Sequence, residues 1–159
     1  MTSAAATIAT AEPFERPFIR RFEHGDVQRH AEWFIPRISQ FLTHLTPGAL
    51  QGWLGQIAAS SEFLFLYQDR AVALAQLLPQ SPKPTFTVQE VFVWAKDPKD
   101  ETNLREAAYF YEHFVEWAKR KETEVVLIDI ETDVPRKLIS EIIGRRVFET
   151  RDAFVRVQE

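Results

Sequence analysis

The stretch from Thr85 to Ala95 constrains this chain more than any other, because it reads as a strand with apolar side chains on both of its faces. Successive side chains of a strand point to opposite sides. Phe86, Val88, Glu90, Phe92 and Trp94 therefore fall on one face and Thr87, Gln89, Val91, Val93 and Ala95 on the other. A strand that is apolar on both sides belongs in the middle of a sheet with a covering layer above and below. The rest of the chain has to supply those layers.

Helical periodicity appears where it is needed. Val27, His30, Ala31, Phe34, Ile38, Phe41 and Leu42 share one face at i, i+3, i+4 and i+7 spacing, after the turn signal His24-Gly25-Asp26, with Asp26 as the expected N-cap. Pro36 should kink or divide this helix, since it removes a hydrogen-bond donor. Thr46-Pro47 opens a second helix through Leu50, Trp53, Leu54 and Ile57. The clearest helix is Leu104 to Lys121, with Leu104, Ala107, Ala108, Tyr111, Phe114, Val115 and Ala118 as its buried stripe and Lys119, Arg120 and Lys121 at its negative end. Pro135 starts a short helix to about Ile143, with Gly144 as its C-cap.

The remaining segments read as strands. Phe18 to Phe22 is a short first strand, and Glu62 to Tyr67 with Ala71 to Leu78 form a hairpin about Gln68-Asp69-Arg70. Pro79 to Pro84 is a rigid loop, Glu124 to Ile130 a second central strand, and Val147 to Val157 the final strand material. The expected order is β-α-α-β-β-β-α-β-α-β. This is an α/β (α+β) fold with a mixed, mostly antiparallel sheet and helices on both faces.

Composition narrows the functional classes. With 159 residues, 45% of them hydrophobic, the chain is long enough for one domain, residues 14–159, that buries roughly two-thirds of its unfolded surface. Residues 1–13 are small and polar and form a flexible tail unless a partner orders them. They have no basic region followed by an apolar run, so a secretory signal is not expected, and no stretch reaches the roughly 20 apolar residues of a membrane span. A net charge of -4 with scattered Lys and Arg offers no stripe for a nucleic-acid backbone. The absence of Cys excludes thiol nucleophiles and thiolate metal sites. His113 and Glu116 sit at i, i+3 and Asp129, Glu131 and Asp133 cluster after a strand, but neither group completes a metal shell, and no metal site is expected.

The order of elements, with several local strings, resembles the GNAT acyltransferase superfamily over about Phe18 to Val157. The strings are Tyr111-Glu112-His113-Phe114-Val115-Glu116-Trp117-Ala118-Lys119, the strand Val125 to Ile130, Glu131-Thr132-Asp133-Val134-Pro135-Arg136, and Ile142-Ile143-Gly144-Arg145-Arg146-Val147-Phe148-Glu149. The resemblance implies an acetyl-CoA-dependent N-acyltransferase acting on an amine. Its pyrophosphate would lie on a loop of the form Arg/Gln-x-x-Gly-x-Gly/Ala, which falls here on Thr102, Asn103, Leu104, Arg105, Glu106 and Ala107. Asn103, Arg105 and Ala107, with Val93 and Ala95 on the fourth strand, are the implied cofactor-binding positions. Glu90 would be the general base, and the position of the family's tyrosine acid falls on Ser140.

The loop departs from that pattern. It has no glycine, and Asp100 and Glu101 are placed to cap the helix start themselves, where they would repel a pyrophosphate. Serine is moreover a poor general acid. The expectation is thus a GNAT-like binding or structural module that has lost its chemistry and needs no cofactor. It would act with protein partners or as a homo-oligomer, in the cytoplasm or in a phage virion, with Trp33 and Trp117 as contact residues. The alternative is an active acyltransferase with a divergent acetyl-CoA loop.

Overall fold

The computed structural model describes residues 16–80, 85–122, 125–128, 132–143, 146–149 and 154–158. Seven strands and five helices lie among them. The strands are β1 (Arg20–Arg21), β2 (Phe63–Gln68), β3 (Ala71–Gln80), β4 (Thr85–Ala95), β5 (Val125–Ile128), β6 (Arg146–Glu149) and β7 (Phe154–Gln158). The helices are α1 (Asp26–Phe41), α2 (Pro47–Ala59), α3 (Glu101–Ala108), α4 (Phe110–Arg120) and α5 (Arg136–Ile143). One sheet runs in the order β1-β2-β3-β4-β5-β7-β6, and its β4–β5 pair is parallel while the other neighbours are antiparallel. No helix among the described residues is long and apolar enough to cross a membrane.

The mixed, mostly antiparallel sheet with helices on both faces is the expected architecture, and β4 is central with a core on each side. One core packs Val88, Val93 and Ala95 against Ala107, Phe110, Tyr111, Phe114 and Ile139 from α3, α4 and α5. The other packs Phe92 and Trp94 against Phe34 and Ile38 of α1 and Leu50 and Leu54 of α2. That second core is aromatic. Phe22 stacks on Phe65 and Phe92 on Trp94, each pair with ring centroids 4.0 Å apart. Phe34 lies within 6.2 Å of Phe22, Phe65, Phe92 and Trp94. Each such side chain removed from water contributes about 1.5–3 kcal/mol.

The alternation expected along β4 is broken. Ala75 of β3 pairs with Glu90 and Leu74 with Phe92, so Val91 is an extra residue on β4. A bulge of this kind re-aims the residues on either side of it. Glu90 consequently shares the face of Val88, Val93 and Ala95, whereas Val91 joins Phe92 and Trp94. Glu90 does not lie among Phe92 and Trp94, as unbroken alternation would require.

Local expectations fare unevenly. Thr46 caps α2 by accepting from the Ala49 amide at 3.2 Å. Asp26 is not an N-cap. It is the first residue of α1, and its buried carboxylate takes both guanidinium nitrogens of Arg20, at 2.7 and 2.8 Å, and the Glu23 amide at 2.8 Å, which ties β1 to the helix. Pro36 stays inside an undivided α1, on its exposed side. β1 is shorter than Phe18 to Phe22, and β3 continues through Pro79 and Gln80, which pair with Phe86 and Thr85. The final strand material is two antiparallel strands, β6 and β7. Gly144 and residues 81–84 lie outside the described residues.

The single helix expected from Leu104 to Lys121 is divided at Tyr109. Buried Gln68 donates its side-chain amide to the Glu106 carbonyl, which also receives the Tyr109 amide at 3.2 Å. A side chain entering the ladder of helix bonds is a recognised cause of a break. The apolar stripe continues across the break, so periodicity alone conceals it.

His30 links α1 to the end of β2. Its Nε2 lies 2.7 Å from the Gln68 carbonyl, and its ring stacks on Tyr67 with centroids 4.9 Å apart. Burial pushes its pKa below the ordinary histidine value of 6.5, against the opposing pull of the Gln68 carbonyl. The folded state therefore keeps the ring neutral while the unfolded chain takes up a proton. This contribution to stability is present above pH 6.5 and is lost as pH falls through the folded value. Urea denaturation at pH 7.5 and pH 5 should show a loss of stability at the lower pH that is smaller in a His30→Gln variant. His113, which burial shifts in the same direction, leaves the variant a residual slope.

Candidate functional site

Among the described residues, β4 pairs in parallel with β5 through Val88 with Val125 and Gln89 with Val126. Further along, the edge of β4 is met by the chain that follows β5. Thr132 makes an isolated parallel bridge with Val93, and the Asp133 amide donates to the Val93 carbonyl at 3.0 Å. The Ala95 amide donates to Asp133 Oδ2 at 2.8 Å. Both guanidinium nitrogens of Arg37 from α1 reach the same carboxylate at 2.7 Å, and that guanidinium sits 4.5 Å over the Trp94 ring. A bidentate Arg–carboxylate pair with a third donor is a strong, charge-assisted arrangement.

The start of α3 is occupied in a comparable way. Asp100 caps it by accepting from the Thr102 amide at 2.9 Å, and Arg70 reaches Asp100 at 3.1 Å and Glu106 at 2.8 Å. The hydrogen bond from Arg70, then that from the Thr102 amide, holds the Asp100 carboxyl below its ordinary range. Asn103 is buried and spends its side chain on the loop: its Oδ1 accepts from the Asp97 amide at 2.8 Å, and its Nδ2 donates to the Arg70 carbonyl at 3.0 Å. The Lys96 amide donates to that same carbonyl at 2.8 Å. The loop before α3 is pinned to the β2–β3 turn by these bonds.

Beside that helix start, α3 and α5 flank a groove of about 460 Å³. Leu104 and Leu138 supply apolar lining, and Glu101, Arg105, Lys137 and Glu141 supply charges of both signs. Arg105 stands 3.8 Å from Glu141, while Ala107 is buried in the core. The implied cofactor positions thus separate: Val93 and Ala95 face the Thr132–Asp133 turn, Asn103 and Ala107 are internal, and Arg105 alone lines the groove.

Glu90 is fully buried on β4. Tyr111 of α4 places its hydroxyl 2.7 Å from Glu90 Oε1 and 2.6 Å from Thr132 Oγ1, and the Val134 amide donates to Thr132 Oγ1 at 3.1 Å. Each hydroxyl has one proton. The arrangement that satisfies all three contacts runs from the Val134 amide to Thr132, from the Thr132 hydroxyl to Tyr111, and from the Tyr111 hydroxyl to Glu90. Burial, then the neighbouring Glu90 charge, raises the Tyr111 pKa well above 10.0, so the phenol keeps its proton as donor. Ser140 is half-buried on α5, and the hydroxyl that meets Glu90 belongs to Tyr111.

Trp117, expected as a surface contact, is 3% exposed within the core. α4 packs against both the sheet and α5, which widens its buried stripe to include this residue. Trp33 is half-buried against His30 and Phe34. His113 and Glu116 line a shallow hollow with Glu112, and no group of three metal-binding side chains occurs among the described residues. Asp129 and Glu131 lie outside them. Sequence reasoning missed Arg37, Arg70, Tyr111 and Thr132 as members of these networks. Tyr111 carried a signal, a hydroxyl on an otherwise apolar stripe, but Arg37 meets a partner 96 positions away that no local pattern indicates.

Tyr111→Phe removes one donor to a buried carboxyl while preserving the ring's packing. It should destabilise the fold by about 1–3 kcal/mol, read as a lower urea midpoint with unchanged slope.

No family model and no curated protein matches this chain. Solved structures do. A tetramutant of the BH1408 protein from Bacillus halodurans matches with a TM-score of 0.54 at 12% identity, covering 84% of this chain and 96% of that one. A ribosomal-protein-alanine N-acetyltransferase from Brucella melitensis biovar Abortus 2308 matches with a TM-score of 0.52 at 12% identity, covering 86% and 96%. The fold of this chain is the GNAT acetyltransferase fold.

Proposed function

We propose that this chain is a protein-binding module built on a GNAT scaffold, whose acyl-CoA groove is filled by its own side chains. The observation that carries this reading is the Ala95 amide, one of the strand-four amides that the resemblance assigns to the cofactor. It is bonded to the Asp133 carboxylate, and Arg37 holds that carboxylate in place. Asp100 at the start of α3 adds to it, since a pyrophosphate would need the Thr102 amide that Asp100 already takes and would meet a like charge. The partner in this reading is a protein or a second copy of the chain. Phe18, 76% exposed, is an apolar side chain available to it.

A second reading has its own support. A fully buried Glu90 with a tyrosine donor, and a separate groove of about 460 Å³ between α3 and α5, are features an N-acyltransferase would use. In that case acetyl-CoA would have to displace Asp133 and Asp100, and the amine would lose its proton toward Glu90 directly or through water.

Thermal unfolding with and without millimolar acetyl-CoA separates the two. A ligand present at 100 times its dissociation constant stabilises the folded state by about 2.7 kcal/mol. The module reading expects no shift in midpoint, and a saturable upward shift would sink it.

A further inference from the structure

We propose that Arg37 and the Ala95 amide form a carboxylate receptor at the open edge of β4, that Asp133 is its internal placeholder, and that its ligand is an extended peptide ending in a free carboxylate. The receptor has three convergent donors. Two guanidinium nitrogens and one backbone amide lie within 2.8 Å of a single carboxylate, and the guanidinium is backed by the Trp94 ring. A planar fork with an added amide is the chemistry that selects a carboxylate by shape and charge.

Two features make the occupant a placeholder rather than an ordinary ion pair. The first is that a side chain completes what a neighbouring strand's backbone would otherwise complete. The Val93 carbonyl takes a backbone amide from Asp133, but the Ala95 amide takes the side-chain carboxylate of that same residue. The second is that, among the described residues, the contact between Thr132 and β4 is an isolated bridge, separate from the Val88 and Gln89 pairing with β5. Where a bridge and a side chain complete a strand edge, an incoming chain can take their place, as in β-strand addition. Such a chain would offer its terminal carboxylate to Arg37 and Ala95 and an amide to the Val93 carbonyl.

The Arg37 side chain is 32% exposed and that of Asp133 12%, so solvent reaches the pair from one side. Among the described residues, Asp100 and Glu106 are engaged by Arg70, and Asp26 by Arg20. The inference rests on the reading that this turn fills the β4 edge. Its test uses no acyl-CoA, so either can fail without the other.

The test is thermal unfolding of Asp133→Ala, in which the receptor is vacated, with sodium acetate, with triglycine, with triglycine amide, and with sodium chloride at matched ionic strength. The variant should unfold at a lower temperature than the parent. Acetate and triglycine should restore most of the loss in a saturable way, while chloride and triglycine amide should not. The rescue should vanish in the Arg37→Ala, Asp133→Ala double variant, and the parent, with Asp133 in place, should respond less than the single variant. A folded variant that acetate does not stabilise, rescue that persists without Arg37, or equal stabilisation by triglycine and its amide would each overturn the proposal. If Asp133→Ala does not fold, Asp133→Ser, which also removes the carboxylate and leaves its place open, serves instead. Failure of both to fold even in acetate would count against the receptor, since the missing carboxylate has then been supplied.

Discussion

β4 is buried on both faces, and its polar backbone still has to be bonded along both edges. On one edge the requirement is met by β3, which pairs with β4 from Thr85 to Ala95 with one bulge. On the other edge, among the described residues, β5 meets it at two positions, and beyond them a bridge from Thr132 and the carboxylate of Asp133 take over. Much of the molecule is arranged around that shortfall. Arg37 is held over Trp94 at the point where it neutralises Asp133, so α1, β4 and the turn before α5 meet at one ion pair. An uncompensated carboxylate at that depth would be costly, and three donors offset the desolvation.

The bulge at Val91 is the second consequence of the same strand. One extra residue sends Glu90 beneath α4, away from Phe92 and Trp94 on the aromatic side. A carboxyl in that position requires a partner, and Tyr111 provides one. The Glu90–Tyr111–Thr132 chain then ties the α4 face of the core to the turn that carries Asp133. Two polar networks thus converge on Thr132 and Asp133, one from each face of the sheet. This explains how a segment with so little ladder pairing holds its position.

The loop before α3 shows the same economy. Asp100 caps the start of α3, and Arg70 balances its charge. Asn103 is consumed in holding the loop to the β2–β3 turn. The acidic, glycine-free loop was legible before any coordinates, because the residues that cap a helix are local in sequence. That Asp133 occupies the β4 edge was not, because Arg37, Ala95 and Asp133 are brought together only by folding.

Periodicity and composition by themselves determined the layered fold: a central strand apolar on both faces, helices to cover it, a hairpin before it and the Thr46 cap. These follow from short-range rules about which side of an element each residue faces. Tertiary structure decided the rest. The bulge at Val91 depends on pairing with β3, the break at Tyr109 on the side chain of Gln68, the burial of Trp117 on packing against both the sheet and α5, and the Arg37–Asp133 pair on contacts across 96 positions. Each of these depends on hydrogen bonds or packing with a distant segment, whose free energy is set by geometry that no local window contains.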